Sequence, residues 1–125
     1  MYNSIEIEGP QQKVDLVSKK IADGFSLEKF APVPEDVKSP GLWKKINWGA
    51  SKLEDVYINF HKGSPTVEPT VMIGGEADGN LSGWAQRVSE TFPDVTVTLE
   101  LEEHSGWRKM VFKKGHKEAQ QPTLF

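Results

Sequence analysis

Between Val95 and Glu102 the sequence alternates without a break: Val95, Val97, Leu99 and Leu101 are apolar, and Thr96, Thr98, Glu100 and Glu102 are polar. Successive side chains of an extended chain point to opposite faces, so a period of two fits a strand and no amphipathic helix. One face must lie in a core and the other in water, which is the habit of antiparallel sheets rather than of parallel sheets buried on both sides. The rest of the chain has to supply that sheet's partners and the layer covering its dry face.

A second alternation, Ile5 and Ile7 against Glu6 and Glu8, predicts a short strand closed by Gly9-Pro10. Val14, Val17, Ile21 and Ala22 then recur at helical spacing as far as Gly24, behind a proline suited to a first turn. Residues 25–48 hold Pro32, Pro34 and Pro40 and read as an irregular connection. Val56, Ile58 and Phe60 predict a strand with those residues on one face, followed by a turn at Gly63-Ser64-Pro65. Val67, Val71 and Ile73 predict a third strand, at a sheet edge because Pro69 cannot donate to a ladder. Gly74, Gly75 and Gly79 predict a loop, and Asn80 an N-cap for a helix carrying Leu81, Trp84, Ala85, Val88 and Phe92 on one stripe. Beyond the Val95 strand, His104-Ser105-Gly106 predicts a turn and residues 107–113 a returning strand.

This order predicts an α+β domain of ferredoxin-like, split βαβ topology: an antiparallel sheet with two helices on one face, plus an added C-terminal hairpin strand. At 125 residues one domain is expected, over residues 1–115, with residues 116–125 a mobile tail. The apolar fraction of 37% and four tryptophans are enough to offset the entropy of ordering, which excludes a disordered chain. The net charge of −3 excludes a globally basic nucleic-acid binder. The absence of cysteine excludes disulfides, zinc ribbons and iron–sulfur clusters. No apolar run is long enough to span a bilayer and the N-terminus has no signal-peptide pattern, so a soluble, cytoplasmic protein without a membrane partner is expected.

Several phrases resemble the YubB-type ferredoxin-like domains of phages and plasmids. They are the opening Ile5-Glu6-Ile7-Glu8-Gly9-Pro10, the stretch from Phe25 to Glu35, the tripeptide Asn47-Trp48-Gly49, and Phe92-Pro93-Asp94. The resemblance covers about residues 3 to 115 and implies the same fold and a mobile-element origin, in a host bacterial cell; it implies no biochemical activity. Two phrases depart from that pattern, at Met1-Tyr2-Asn3 and at residues 74–79.

No catalytic constellation stands out. His61, His104 and His116 lack the spacing of a metal pair, so neither metal nor cofactor is expected. Glu100 and Glu102 share a strand face, where a solvated surface is the simpler reading than an acid/base pair. Trp48 is expected to pack the long connection onto the core, with Gly49 at positive φ, against the alternative of a binding platform. Trp107, Arg108, Lys109, Lys113 and Lys114 make the last strand basic and aromatic, which offers a nucleic-acid or regulatory protein-binding surface.

The segment Gln121-Pro122-Thr123-Leu124-Phe125 resembles the short peptide by which bacterial polymerases and other replication factors dock on the DNA sliding clamp. Its chemistry is coherent. The Gln121 amide donates and accepts at a groove's rim, Thr123 supplies a hydroxyl, and Leu124 and Phe125 fill a hydrophobic pocket. Pro122 restricts the backbone to extended forms and lowers the entropy cost of docking. The expected function is therefore a mobile-element accessory protein that docks on the bacterial sliding clamp and modulates or inhibits replication. The alternative is a binding module that uses the sheet and the basic last strand.

Overall fold

The computed structural model describes residues 1–22, 24–103 and 106–118. Strand β1 spans Tyr2–Glu8 and helix α1 Gln11–Ile21, followed by the short helices α2, Leu27–Phe30, and α3, Pro40–Asn47. Strands β2, Leu53–His61, and β3, Thr70–Ala77, precede helix α4, Ser82–Thr91. The chain continues through β4, Thr96–Glu103, β5, Gly106–Lys113, and β6, His116–Lys117. The strands form one open antiparallel sheet in the order β2-β3-β1-β4-β5-β6.

The two alternating segments occupy the middle of this sheet. Ile5 of β1 lies opposite Ile73 of β3 on one side and Leu99 of β4 on the other, and all three are fully buried. Their face is covered by Val14, Val17 and Ile21 of α1 and by Trp84, Ala85 and Val88 of α4, at the helical spacing the sequence shows. Each of the valines and isoleucines among them contributes about 1.5–3 kcal/mol on leaving water. Asn3 enters the core fully buried with its polar atoms matched: it donates from Nδ2 to the carbonyls of Met1 and Gly79 and accepts the Leu81 N–H on Oδ1 at 3.0 Å.

Several expectations are corrected. Residues 25–48 contain two helices, because Pro40 sits at the first position of α3, where a missing N–H removes no helical bond. Ser26 caps α2, accepting the Glu28 N–H at 3.2 Å. Helix α2 is fixed to the core by the Trp84 indole, which donates to the Leu27 carbonyl at 2.9 Å, and by Phe30 against Trp84 and Phe92. The third strand is interior rather than at an edge, since it begins one residue after Pro69. Gly74 and Gly75 belong to that strand and form no loop.

The true edge on this side is β2. Its Ile58 is half-buried, but Val56 and Phe60 remain exposed because the helical layer does not reach the sheet's margin. A bulge between Glu54 and Tyr57 places Asp55 at φ 52°. Asn80 lies one residue ahead of the assigned cap, yet its Oδ1 accepts the Ser82 N–H at 2.8 Å, satisfying a free amide of the first turn. The sheet continues beyond residue 115 through His116 and Lys117, and the Glu118 N–H donates to the Val111 carbonyl. No helix among the described residues is long and apolar enough to cross a membrane.

Candidate functional site

Among the described residues no helix covers the sheet's other face, and the polar half of each alternation points there. Register places Glu54 opposite Glu76, Glu76 opposite Tyr2, and Glu102 opposite Trp107, a row of carboxylates and aromatic rings running from β2 to β5. Tyr57 lies opposite Gly74 in the next row, and Lys109 opposite Glu100. The rings meet. Tyr2 stacks on Tyr57 with centroids 6.5 Å apart and an interplanar angle of 17°, and meets Trp107 edge-on at 6.3 Å. Trp107 is 60% exposed and Tyr57 41%, so this aromatic array is open to a partner while its members hold one another in place.

Gly74 makes the array possible. A β-carbon built on it would fall 2.6 Å from the Tyr2 hydroxyl oxygen, far inside contact distance, so only a bare backbone leaves room for both tyrosines. The surroundings are acidic. Burial, then the Tyr57 phenol and the Glu76 and Glu102 carboxylates, push the Tyr2 phenol up to about 12. Burial and the neighbouring carboxylates of Glu8 and Glu100 likewise raise Glu6, with Lys109 pulling the other way. Lys52 reaches Glu54 at 2.8 Å, and the Met1 ammonium reaches Glu76 at 3.4 Å.

The residues expected to form a basic surface are divided between faces. Trp107, Lys109 and Lys113 share the open face. Arg108 points to the opposite one and pairs with Glu103 at 3.2 Å. Lys114 occupies the turn between β5 and β6 at φ 53°. Gln121, Thr123, Leu124 and Phe125 lie outside the described residues, as does His104. Among the described residues no three histidine, aspartate or glutamate side chains converge on a point where a metal ion could be held.

Tyr2 and Tyr57 were not singled out by the sequence, although a signal existed. Two adjacent glycines in a stretch of otherwise β-prone residues mark a strand over which large neighbours lie, as well as they mark a loop. Trp48 and Gly49 follow the expected packing. Trp48 is 1% exposed, and Gly49 adopts φ 95° with its α-carbon so near Asn80 that a β-carbon would overlap the Asn80 carbonyl oxygen.

No protein-family model, curated protein or solved structure matches the chain.

Proposed function

We propose that the protein is an accessory binding module whose working surface is the open face of the sheet. The observation that carries this reading is the contiguous Tyr2–Tyr57–Trp107 array, partly exposed and bordered by Glu54, Glu76 and Glu102. Aromatic faces attract cations, and carboxylates beside them complete the attraction, so the fitting partner is a protein segment bearing Lys or Arg. The same carboxylates repel phosphates, which disfavours nucleic acid on this part of the sheet despite Lys109 and Lys113. The strand order β2-β3-β1-β4, with α1 and the short helices α2 and α3 between β1 and β2 and α4 between β3 and β4, supports the narrower reading of a ferredoxin-like, split βαβ body.

Titration of a labelled Arg-Gly repeat peptide and of labelled oligothymidylate tests the surface. The peptide should bind, and Trp107→Ala and Tyr57→Ala should each weaken it. Binding of oligothymidylate alone, lost on neutralising Lys109 and Lys113, would replace this reading with nucleic-acid recognition.

A second reading rests on the residues Gln121, Thr123, Leu124 and Phe125, whose pattern resembles the sliding-clamp docking peptide. In that reading the module is a phage- or plasmid-borne protein, acting in the bacterial cytoplasm. The peptide brings it to the bacterial sliding clamp, where the domain recruits a partner or blocks polymerases. Purified bacterial clamp is titrated with the full chain and with a truncation ending at Gln120. Micromolar binding, about −8 kcal/mol, is expected for the full chain only; equal binding by both, or by neither, removes the clamp from the account.

A further inference from the structure

Strand β2 ends the strand order, and among the described residues its backbone is bonded to β3 alone. The opposite margin closes on the two-residue β6 instead. Leu53 and Ile58 of β2 are half-buried and its other residues are exposed, so among the described residues nothing covers this edge. Folded proteins blunt such edges with lysine, proline or a bulge, because unpaired N–H and C=O groups are a template for another strand. The β2 bulge lies between Glu54 and Tyr57, but residues 57–61 pair regularly with β3 and contain neither proline nor lysine.

This strand is complementary to itself. Glu54 and Asp55 stand at one end, Val56, Ile58 and Phe60 run along one face, and His61 is followed by Lys62 at the other end. Neither Asp55 nor Lys62 has an ion-pair partner among the described residues. Directly opposed residues of antiparallel strands share a face, so a two-fold axis between two copies of β2 passes through a residue and not between two. With the axis at Ile58, that residue meets its own copy, Val56 meets Phe60 and Tyr57 meets Asn59. The acidic end of each strand then lies against the Lys62 end of the other. An axis at Tyr57 would instead bring Lys52 toward Lys62 and Asp55 toward Asn59, and would lose the charge match. Phe60 is 55% exposed, and in the Ile58 register each Phe60 gains a β-branched neighbour from the other copy, a favourable cross-strand pair.

We infer that two copies of this chain join through β2, antiparallel about a two-fold axis at Ile58, so that their six-stranded sheets become one. The occupant of the edge is a second copy and not a foreign strand, because the charge order and the apolar order of β2 both fit their own reverse. An interface of one strand pair is small, so the association is weak and depends on concentration. The dimer sets the two open faces side by side. The pairing uses the strand edge and does not depend on the function proposed for those faces.

The full chain is followed by sedimentation equilibrium over roughly 1–500 μM, the span suited to so small an interface. Its mass should rise from the 14.0 kDa of one chain toward twice that value. Val56→Lys combined with Phe60→Lys sets like charges against each other at both symmetric contacts, and should raise the midpoint of association at least about tenfold. Val56→Lys combined with Phe60→Glu differs only in the sign of one charge, sets unlike charges together, and should restore association. Both side chains are exposed, and circular dichroism checks that each variant is folded. The chain has no cysteine, so a single introduced thiol reports the register. Ile58→Cys faces its own copy at the Cα spacing of about 5 Å between opposed residues, and should form an intermolecular disulfide under mild oxidation. Asn59→Cys faces Tyr57 and should not. A wild-type mass that stays at one chain throughout overturns the inference and leaves the edge to a foreign strand. So does a double-lysine variant that associates like wild type, a lysine–glutamate variant that associates no better than the double-lysine one, or equal cross-linking of the two thiols.

Discussion

Tyr57 lies across the bare backbone of Gly74: a β-carbon on that glycine would stand 2.3 Å from Cε1 of the tyrosine ring. The two residues face each other on adjacent strands, so the contact is built into the register of β2 and β3. Gly74→Val should therefore expel Tyr57 from its place beside Tyr2. A loss of about 1–3 kcal/mol in urea unfolding is expected, typical of overpacking a fitted site. Peptide binding to the sheet face should fall with it. A variant that keeps wild-type stability and ring chemical shifts would show that the rings do not need the bare backbone.

Asn3 serves three backbone groups from a fully buried position. Asn3→Ala leaves the Leu81 N–H and two carbonyls without their partner, and should cost about 3 kcal/mol. Asn3→Asp removes the two donated bonds and buries a charge, so it should be at least as damaging. Equilibrium denaturation of both variants measures this. A cost below that of an exposed substitution would mean the amide's bonds are not needed.

Trp84→Phe tests the hydrogen bond that ties α2 to α4. The ring volume is largely kept while the Leu27 carbonyl loses its donor, with an expected cost of about 1–2 kcal/mol. Hydrogen exchange should quicken first at α2, which is otherwise held by ring contacts of Phe30 and by the Glu28–Lys44 ion pair. Uniform exchange across the molecule would contradict a local role.

Asp78 predicts a loss of stability in acid. Burial opposes its ionisation, but bonds from the Ser51 hydroxyl and from the Ser51 and Lys52 N–H groups prevail and lower it from 3.8 to about 2. A depressed carboxylate stabilises the fold above its unfolded value, and that contribution fades as pH falls from about 4 to about 2. Asp78→Asn should be less stable than wild type at neutral pH, with the difference narrowing across that interval. A constant difference down to pH about 2 would contradict the assignment.

Tyr2 predicts the opposite end of the scale. Its raised value means that the folded state favours the neutral phenol, so its contribution is complete below pH about 10 and is lost as pH rises toward about 12. The phenolate absorbance of wild type less that of Tyr2→Phe reports this titration. A midpoint near 10 would place the ring in a more watery setting than the stacked array provides.

How much of this was legible in the sequence differs from residue to residue. The alternations around Ile5 and Leu99 announced the two central strands, because each has one dry and one wet face and periodicity records that difference directly. The α4 stripe was equally plain. Pro40 misled because the same missing N–H that breaks a helix interior is harmless at its first position, and sequence alone does not say which position it holds. Gly74 misled because its reason is a tyrosine seventeen residues earlier, brought opposite only by strand pairing. The sheet face was legible in part: Trp107 was visible as an exposed aromatic, but Tyr2 and Tyr57 join it only through a strand order that no local pattern encodes. The buried Trp48 indole N–H, without an acceptor among the described residues, is likewise a property of packing, invisible until its surroundings are known.

The central place of β1 has a consequence for how the molecule comes into being. Asn3 pairs with Gly75 on one side and Leu101 on the other, so β1 is synthesised well before either of its neighbours. A ribosome adding about 5–20 residues each second leaves this segment waiting on the order of ten seconds for its second neighbour. During that interval the Ile5 and Ile7 side chains are an adhesive stretch of nascent chain, and closure over so long a separation makes the final assembly slow. Protein made by translation should thus lean on chaperones during that interval.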